Sequence, residues 1–163
     1  MKNSGFSLLE LLITMALISI LLGIAGVAAN SMRNKYNVET QTKQMFADLL
    51  NARASAMAKN RAHFVDFASA TQYAVYEDTD SAPDGDGSLD TDSDTQILLK
   101  NLEHGISRNG GQTVTFDTRG LVTSTGQTVW VTTPHGAGSD CITISATRIT
   151  IGVSNGTENC VAQ

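Results

Sequence analysis

No charged side chain occurs from Leu11 to Met32, a run of twenty-two residues. As a helix this run is long enough to cross the roughly 30 Å hydrocarbon core of a bilayer, which takes about 20 residues. One carboxylate, Glu10, stands immediately before it, within "GFSLLELL". An ionisable group held centrally in lipid costs about 2.5–3.5 kcal/mol on insertion scales. Glu10 is therefore either a functional group or an interfacial one that stays wet. Secretory signals have a shorter apolar stretch, about 7–15 residues, with small residues after it. Here the run is longer, and the small residue, Gly5, precedes it. Lys2 lies on one side and Arg33 and Lys35 on the other, so the positive-inside rule leaves the orientation nearly balanced.

At 163 residues the chain has room for one membrane segment and one small domain. Charged residues are 17% and aromatic residues 6%, which suits a thin β-rich module better than an enzyme with a deep pocket. The net charge of −5 is unevenly placed: eight of the sixteen acids fall between Glu77 and Asp94, where there is no Lys or Arg. Outside that stretch basic residues exceed acidic ones, so a basic face elsewhere is open. The two cysteines, Cys141 and Cys160, fit no zinc spacing with His63, His104 or His135. They read as a disulfide, which places the domain in an oxidising compartment such as a periplasm; two buried thiols are the alternative.

The pattern after the apolar run remains helical. In "NVETQTKQMFADLLNARASAMAKNRAHF" the residues Phe46, Leu49, Leu50, Met57 and Phe64 follow three-and-four spacing, and Ala52, Ala54, Ala56 and Ala58 raise helix propensity and thin the helix. No proline interrupts Phe6 to Asn60. Beyond His63 the period becomes two, in "HFVDFA", "QYAVYE", "QTVTFDT", "QTVWVTT", "CITISA" and "RITIGV". The fold class expected is α+β: a long N-terminal helix, half transmembrane and half amphipathic, packed on an antiparallel β-sheet. "TQILLKNLE" is compatible with a strand or a short helix, and residues 77–94 read as an exposed acidic loop.

"GFSLLE" before an apolar helix resembles the processing site of type IV pilins and of the pseudopilins of type II secretion. The resemblance implies a leader over residues 1–5, cleavage between Gly5 and Phe6 by a prepilin peptidase, and N-methylation of Phe6. It implies a membrane and filament-core helix over 6–30, an amphipathic helix over 31–63 and a β-rich domain over 64–163. "LLNARASAMAKNRAHFVDF" is similar to the helix-to-strand passage of the GspH/FimT group, through Ala52, Arg53, Ala56 and Met57. "VTFDTRGLV" resembles that group's "F-x-x-x-G" turn through Phe116 and Gly120. "ISATRITIGV" keeps Arg148 and Gly152 of a "G-R-x-R-x-G"-like ending, but has Thr147 and Thr150 in place of its first Gly and second Arg. The helix-breaking proline usual in major pilins is absent.

The resemblance gives Glu10 a role in assembly. After cleavage the Phe6 amine is a cation near the start of a helix, and Glu10 lies one turn on, where it complements the helix dipole. The two can pair within one chain at i,i+4; in the family reading Glu10 meets the amine of a neighbouring subunit in the filament core. The implied partners are other pilins or pseudopilins, the peptidase, an inner-membrane assembly platform, and lipid before assembly. The implied location is the bacterial inner membrane with a periplasmic domain, then a filament.

Other constellations weigh less. Asp84, Asp86, Asp90, Asp92 and Asp94 offer hard oxygen ligands suited to Ca²⁺, yet no frame meets the EF-hand rule; a solvated loop is the plainer reading. No cofactor is otherwise implied. There is no G-x-S-x-G, phosphate-binding glycine loop or H-E-x-x-H, and His135, Ser139 and Asp140 are close only in sequence. "NGT" at Asn155 fits a glycosylation sequon. Arg53, Arg108, Arg119 and Arg148, with Trp130 and Tyr73, could form a nucleic-acid surface. The lost second arginine and the acidic loop argue against DNA. The expectation is a non-enzymatic minor pilin or pseudopilin that starts or caps a filament, with a DNA receptor or a Ca²⁺-dependent adhesive subunit as rivals.

Overall fold

The computed structural model describes residues 7–80, 85–124, 126–155 and 159–162, without the side chains of 24–28. The chain divides into two compact units, 1–34 and 35–163. Helix α1 runs Leu8–Lys59. Within the first unit its apolar side chains are open all the way round: Leu8, Leu9, Leu12, Met15, Ile18 and Leu22 are each more than half exposed. The hydroxyls of Thr14 and Ser19 are satisfied inside the helix, on the carbonyls of Leu11 and Met15, so this segment carries few unmet polar groups into an apolar setting. Among the described residues no helix is long and apolar enough to cross a membrane. A membrane span over 6–30 therefore rests on the sequence.

In the second unit α1 buries one stripe: Val38, Thr42, Met45, Leu49, Ala52 and Ala56. Their alternating four-and-three spacing keeps one face of the helix on the sheets. This corrects the expected stripe. Leu50 and Met57 are on the open side, Phe46 is only partly buried, and Phe64 belongs to a strand. Toward the end of the helix the stripe narrows to Ala52 and Ala56, while large residues, Phe67, Tyr73 and Phe116, enter the same core from the sheet. Close packing is met by pairing large with small. The helix stops in a Schellman motif: Asn60 takes a positive φ of 52°, and the Arg61 N–H reaches back to the Ala56 carbonyl at 3.3 Å.

Among the described residues nine strands follow: β1 (His63–Ser69), β2 (Gln72–Glu77), β3 (Thr95–Asn101), β4 (Ile106–Asn109), β5 (Thr113–Phe116), β6 (Gln127–Val131), β7 (Cys141–Ile144), β8 (Ile149–Ser154) and β9 (Cys160–Ala162). The sequence "TQILLKN" is thus a strand, and the short β4 and β9 are additional to the expected six segments. They form two antiparallel sheets, ordered β3-β2-β1-β5 and β4-β6-β7-β8-β9. Both sheets and the helix stripe share one apolar core, with Val65 and Val75 from the first sheet and Val129, Ile142 and Ile144 from the second. The chain is therefore α+β.

Polar helix side chains clamp the loops. Gln41 makes a two-way bond with the His104 backbone, at 2.8 and 2.9 Å. Glu39 accepts the Gly138 N–H at 2.6 Å, and Arg53 donates to the Thr147 carbonyl at 3.0 Å. Cys141 and Cys160 are bonded. The bridge ties β9 to β7 across β8, and closing a loop of this size adds roughly 3 kcal/mol on chain-entropy models.

Candidate functional site

Gly5 and Phe6, the processing pair, lie outside the described residues, as does Asp84. Glu10 stands in the first turn of α1, exposed among exposed leucines. At this position its carboxylate meets the positive end of the helix dipole. Nothing within the described part of the chain neutralises it by a salt bridge.

The described part of the acidic stretch, residues 77–80 and 85–94, is held by its own carboxylates. Asp78 is fully buried just after β2, and its two carboxylate oxygens accept the N–H groups of Asp86 and Gly87 at 3.1 and 2.8 Å. Asp94, buried before β3, does the same for Thr79 and Asp90 at 3.0 and 2.8 Å. Two of the acids therefore hold the loop's backbone. Burial pushes the Asp78 carboxyl up; the Gly87 and Asp86 N–H groups oppose this, and the charges of Asp94 and Asp80 add to it.

The candidate Ca²⁺ set changes accordingly. Carboxylate oxygens of Asp78, Asp80 and Asp86 come within 4.8 Å of one another, while Asp90 and Asp94 are not part of that group and hold loop N–H and hydroxyl groups. Asp92 is exposed. Asp80 and Asp86 also border an open depression of about 600 Å³ with Asp66, Ser88 and Asp90, so the loop lies against the face of the first sheet that carries Asp66. Asp78 and Asp80 were hidden in the sequence because the run of acids gave no spacing by which to separate buried carboxylates from exposed ones.

Three of the arginines come from neighbouring positions. Arg53 donates to the Thr147 carbonyl, beside Arg148. Its side chain lies 3.2 Å from the place of a Cβ on Gly120, beside Arg119, which pairs with Asp117 at 3.0 Å. Arg148 is exposed. Tyr73, a candidate for base stacking, is buried, with its hydroxyl donating to Asp48 at 2.6 Å. The His135, Ser139 and Asp140 trio is not a catalytic array. Asp140 holds the Ser154 N–H and hydroxyl, while His135 packs edge-on against His104, with ring centroids 5.6 Å apart.

What remains is an exposed apolar helix led by a carboxylate, joined to a disulfide-tied α+β domain. Residues 1–26 match the prokaryotic N-terminal methylation motif, and residues 41–148 match the family described as type II transport protein GspH. The chain belongs to the GspH family. Its fold is similar to that of the type IV minor pilin FimU of Pseudomonas aeruginosa, at 16% identity and a TM-score of 0.52, covering 71% of this chain and 88% of that one. It is also similar to the minor pseudopilin EpsH from the type 2 secretion system of Vibrio cholerae, at 12% identity and a TM-score of 0.51, covering 74% of this chain and 99% of that one. At such identities the likeness is one of fold. No curated protein matches the chain in sequence. The GspH family consists of structural pilin and pseudopilin subunits, not enzymes.

Proposed function

We propose that this GspH-family chain is a minor pilin or pseudopilin that initiates or caps a type IV pilus or a type II secretion pseudopilus. It waits in the bacterial inner membrane, with its β-rich domain in the periplasm, until a prepilin peptidase cuts between Gly5 and Phe6. The observation that carries this reading is the circumference of exposed apolar side chains on α1 from Leu8 to Leu22. A helix apolar all round is suited to lipid or to a bundle of like helices. Glu10 then serves as the counter-ion for a neighbour's Phe6 amine. Removing one member of a pair in an apolar core leaves a charge that is costly to bury.

Two measurements on the native host test this. Intact mass should show a mature chain beginning at Phe6. Glu10→Gln should insert into the membrane normally yet enter filaments at least tenfold less, since breaking a buried pair costs about 3–5 kcal/mol. Normal incorporation would return Glu10 to an interfacial role, and any other mature N-terminus would remove the pilin reading.

A second reading, weak Ca²⁺ binding by the acidic loop, is favoured by one observation. The clustered Asp78, Asp80 and Asp86 include an Asp80 Oδ1 that is buried without a hydrogen-bond partner among the described residues. Oxygen donors of this type suit Ca²⁺. Calorimetry should give a millimolar site lost in Asp80→Asn; absence of heat at millimolar Ca²⁺ leaves a purely structural loop.

A further inference from the structure

The uncharged run of α1 ends at Met32, and Tyr36 and Asn37 stand four and five residues beyond it. At about 1.5 Å per helical residue they lie roughly 6–8 Å past its end. The headgroup layer of a bilayer is itself roughly 5–8 Å thick on each side. Lys35 is exposed and Tyr36 is 68% exposed; tyrosine and lysine are side chains that settle at a membrane–water interface.

Tyr36 and Asn37, with Thr40 and Gln44, also line one side of a cavity of about 240 Å³ within the second unit. Lys100 of β3 and Glu103 of the loop after it line the other side. The volume falls below the roughly 300–1,000 Å³ of small-molecule sites and suits a lipid headgroup without its chains. Lys100 and Glu103 have opposite charges, yet among the described residues neither makes a salt bridge with the other or with any third group. Both are within reach of an incoming group, Glu103 being exposed and Lys100 partly so. The Asn37 amide donates to both Glu103 oxygens, at 3.1 and 3.3 Å. That contact fixes the carboxylate beside the helix and leaves it further acceptor capacity.

We propose that this cavity holds the headgroup of a phosphatidylethanolamine, with the phosphate toward Lys100 and the ammonium toward Glu103. Two unpaired charges of opposite sign in one small cavity match a zwitterion. A purely anionic headgroup would be repelled by Glu103, and a choline headgroup has no N–H to donate to it. The lipid as source of the group rests on the membrane reading above; the preference for a phosphoethanolamine group does not.

The test uses the full chain in non-ionic detergent micelles, with the Asn37 and Gln44 side-chain amides followed by NMR as lipid is added. Short-chain phosphatidylethanolamine should give a saturable shift and bind about tenfold tighter than phosphatidylcholine or phosphatidylglycerol of the same chains. A tenfold difference is the scale of one charge-assisted hydrogen bond. Glu103→Gln, which can still accept the Asn37 amide, should abolish that preference, and Lys100→Gln should weaken all three lipids. No saturable shift, or phosphatidylglycerol binding as tightly as phosphatidylethanolamine, overturns the zwitterion site. O-phosphoethanolamine binding as tightly as the lipid overturns the lipid as source. Fractionation of the host tests the membrane reading separately: a chain recovered outside the membrane removes that reading whatever the titration gives.

Discussion

Asp78 and Asp117 are both aspartates that hold turns, yet their surroundings set them in opposite directions. Desolvation raises the Asp117 carboxyl, but the Leu121 N–H, followed by the bonds and charge of Arg119, outweighs it and holds the group below the usual range. At Asp78 desolvation wins over its two N–H donors. The consequences for stability have opposite signs. The share from Asp117 is present above the unfolded aspartate pKa of about 3.9 and is lost as pH falls through its lower folded value. The share from Asp78 is greatest in acid and is lost as pH rises through its raised folded value. Carboxyl-carbon NMR should therefore show Asp78 titrating above the ordinary aspartate range and Asp117 below it. Asp78→Asn should also flatten the acid-side rise in stability.

At the scale of elements, the ending "RITIGV" has a physical reason for its glycine. Gly152 pairs with Cys141 on one side and Ala162 on the other. A Cβ placed there would stand 2.1 Å from the Val161 carbonyl oxygen and 3.0 Å from the Cys160 Sγ. β9 can lie on β8 only because that atom is missing, and the Cys141–Cys160 bond prevents β9 from simply leaving. Gly152→Ala should destabilise the oxidised protein by about 1–3 kcal/mol, the usual scale of overpacking. It should also expose the β9 amides to hydrogen exchange. An unchanged unfolding midpoint with intact protection would refute the close approach. Gly120 plays a related part: its φ is +73°, and an added Cβ would strike the Met57 side chain at 2.9 Å, which is where the half-exposed Met57 finds its packing.

For the whole molecule, the distribution of charge bears on what the domain can bind. Nucleic-acid affinity scales with the cations brought to one face and falls steeply with salt. Arg119 is paired with Asp117, eight acids lie between Glu77 and Asp94, and Thr150 occupies the place of the second arginine in the family's ending. Duplex DNA should accordingly bind more weakly than about 10 μM at physiological salt. A gel-shift and salt titration measure this. Micromolar or tighter binding with a steep salt slope, abolished in Arg148→Ala, would make DNA uptake the better account of the domain.

The α+β class, the uninterrupted helix and six of the strands (β1, β2, β5, β6, β7 and β8) were legible because each rests on a local period: 3.6 with no proline through Asn60, then 2 between turn residues. The processing motif was legible for a similar reason, since Gly5, Phe6 and Glu10 are defined by their distance along the chain. Which helix face is buried was not legible. Leu49 and Ala56 are buried while Leu50 and Met57, one position on, are open, a choice made by packing against the sheets and not by the helical period. The same holds for Asp78 and Asp94. Each sits in a run of acids with nothing local to set it apart, and burial is conferred by strands and loops brought in from elsewhere in the chain. Long-range packing therefore decided which of these carboxylates hold the fold.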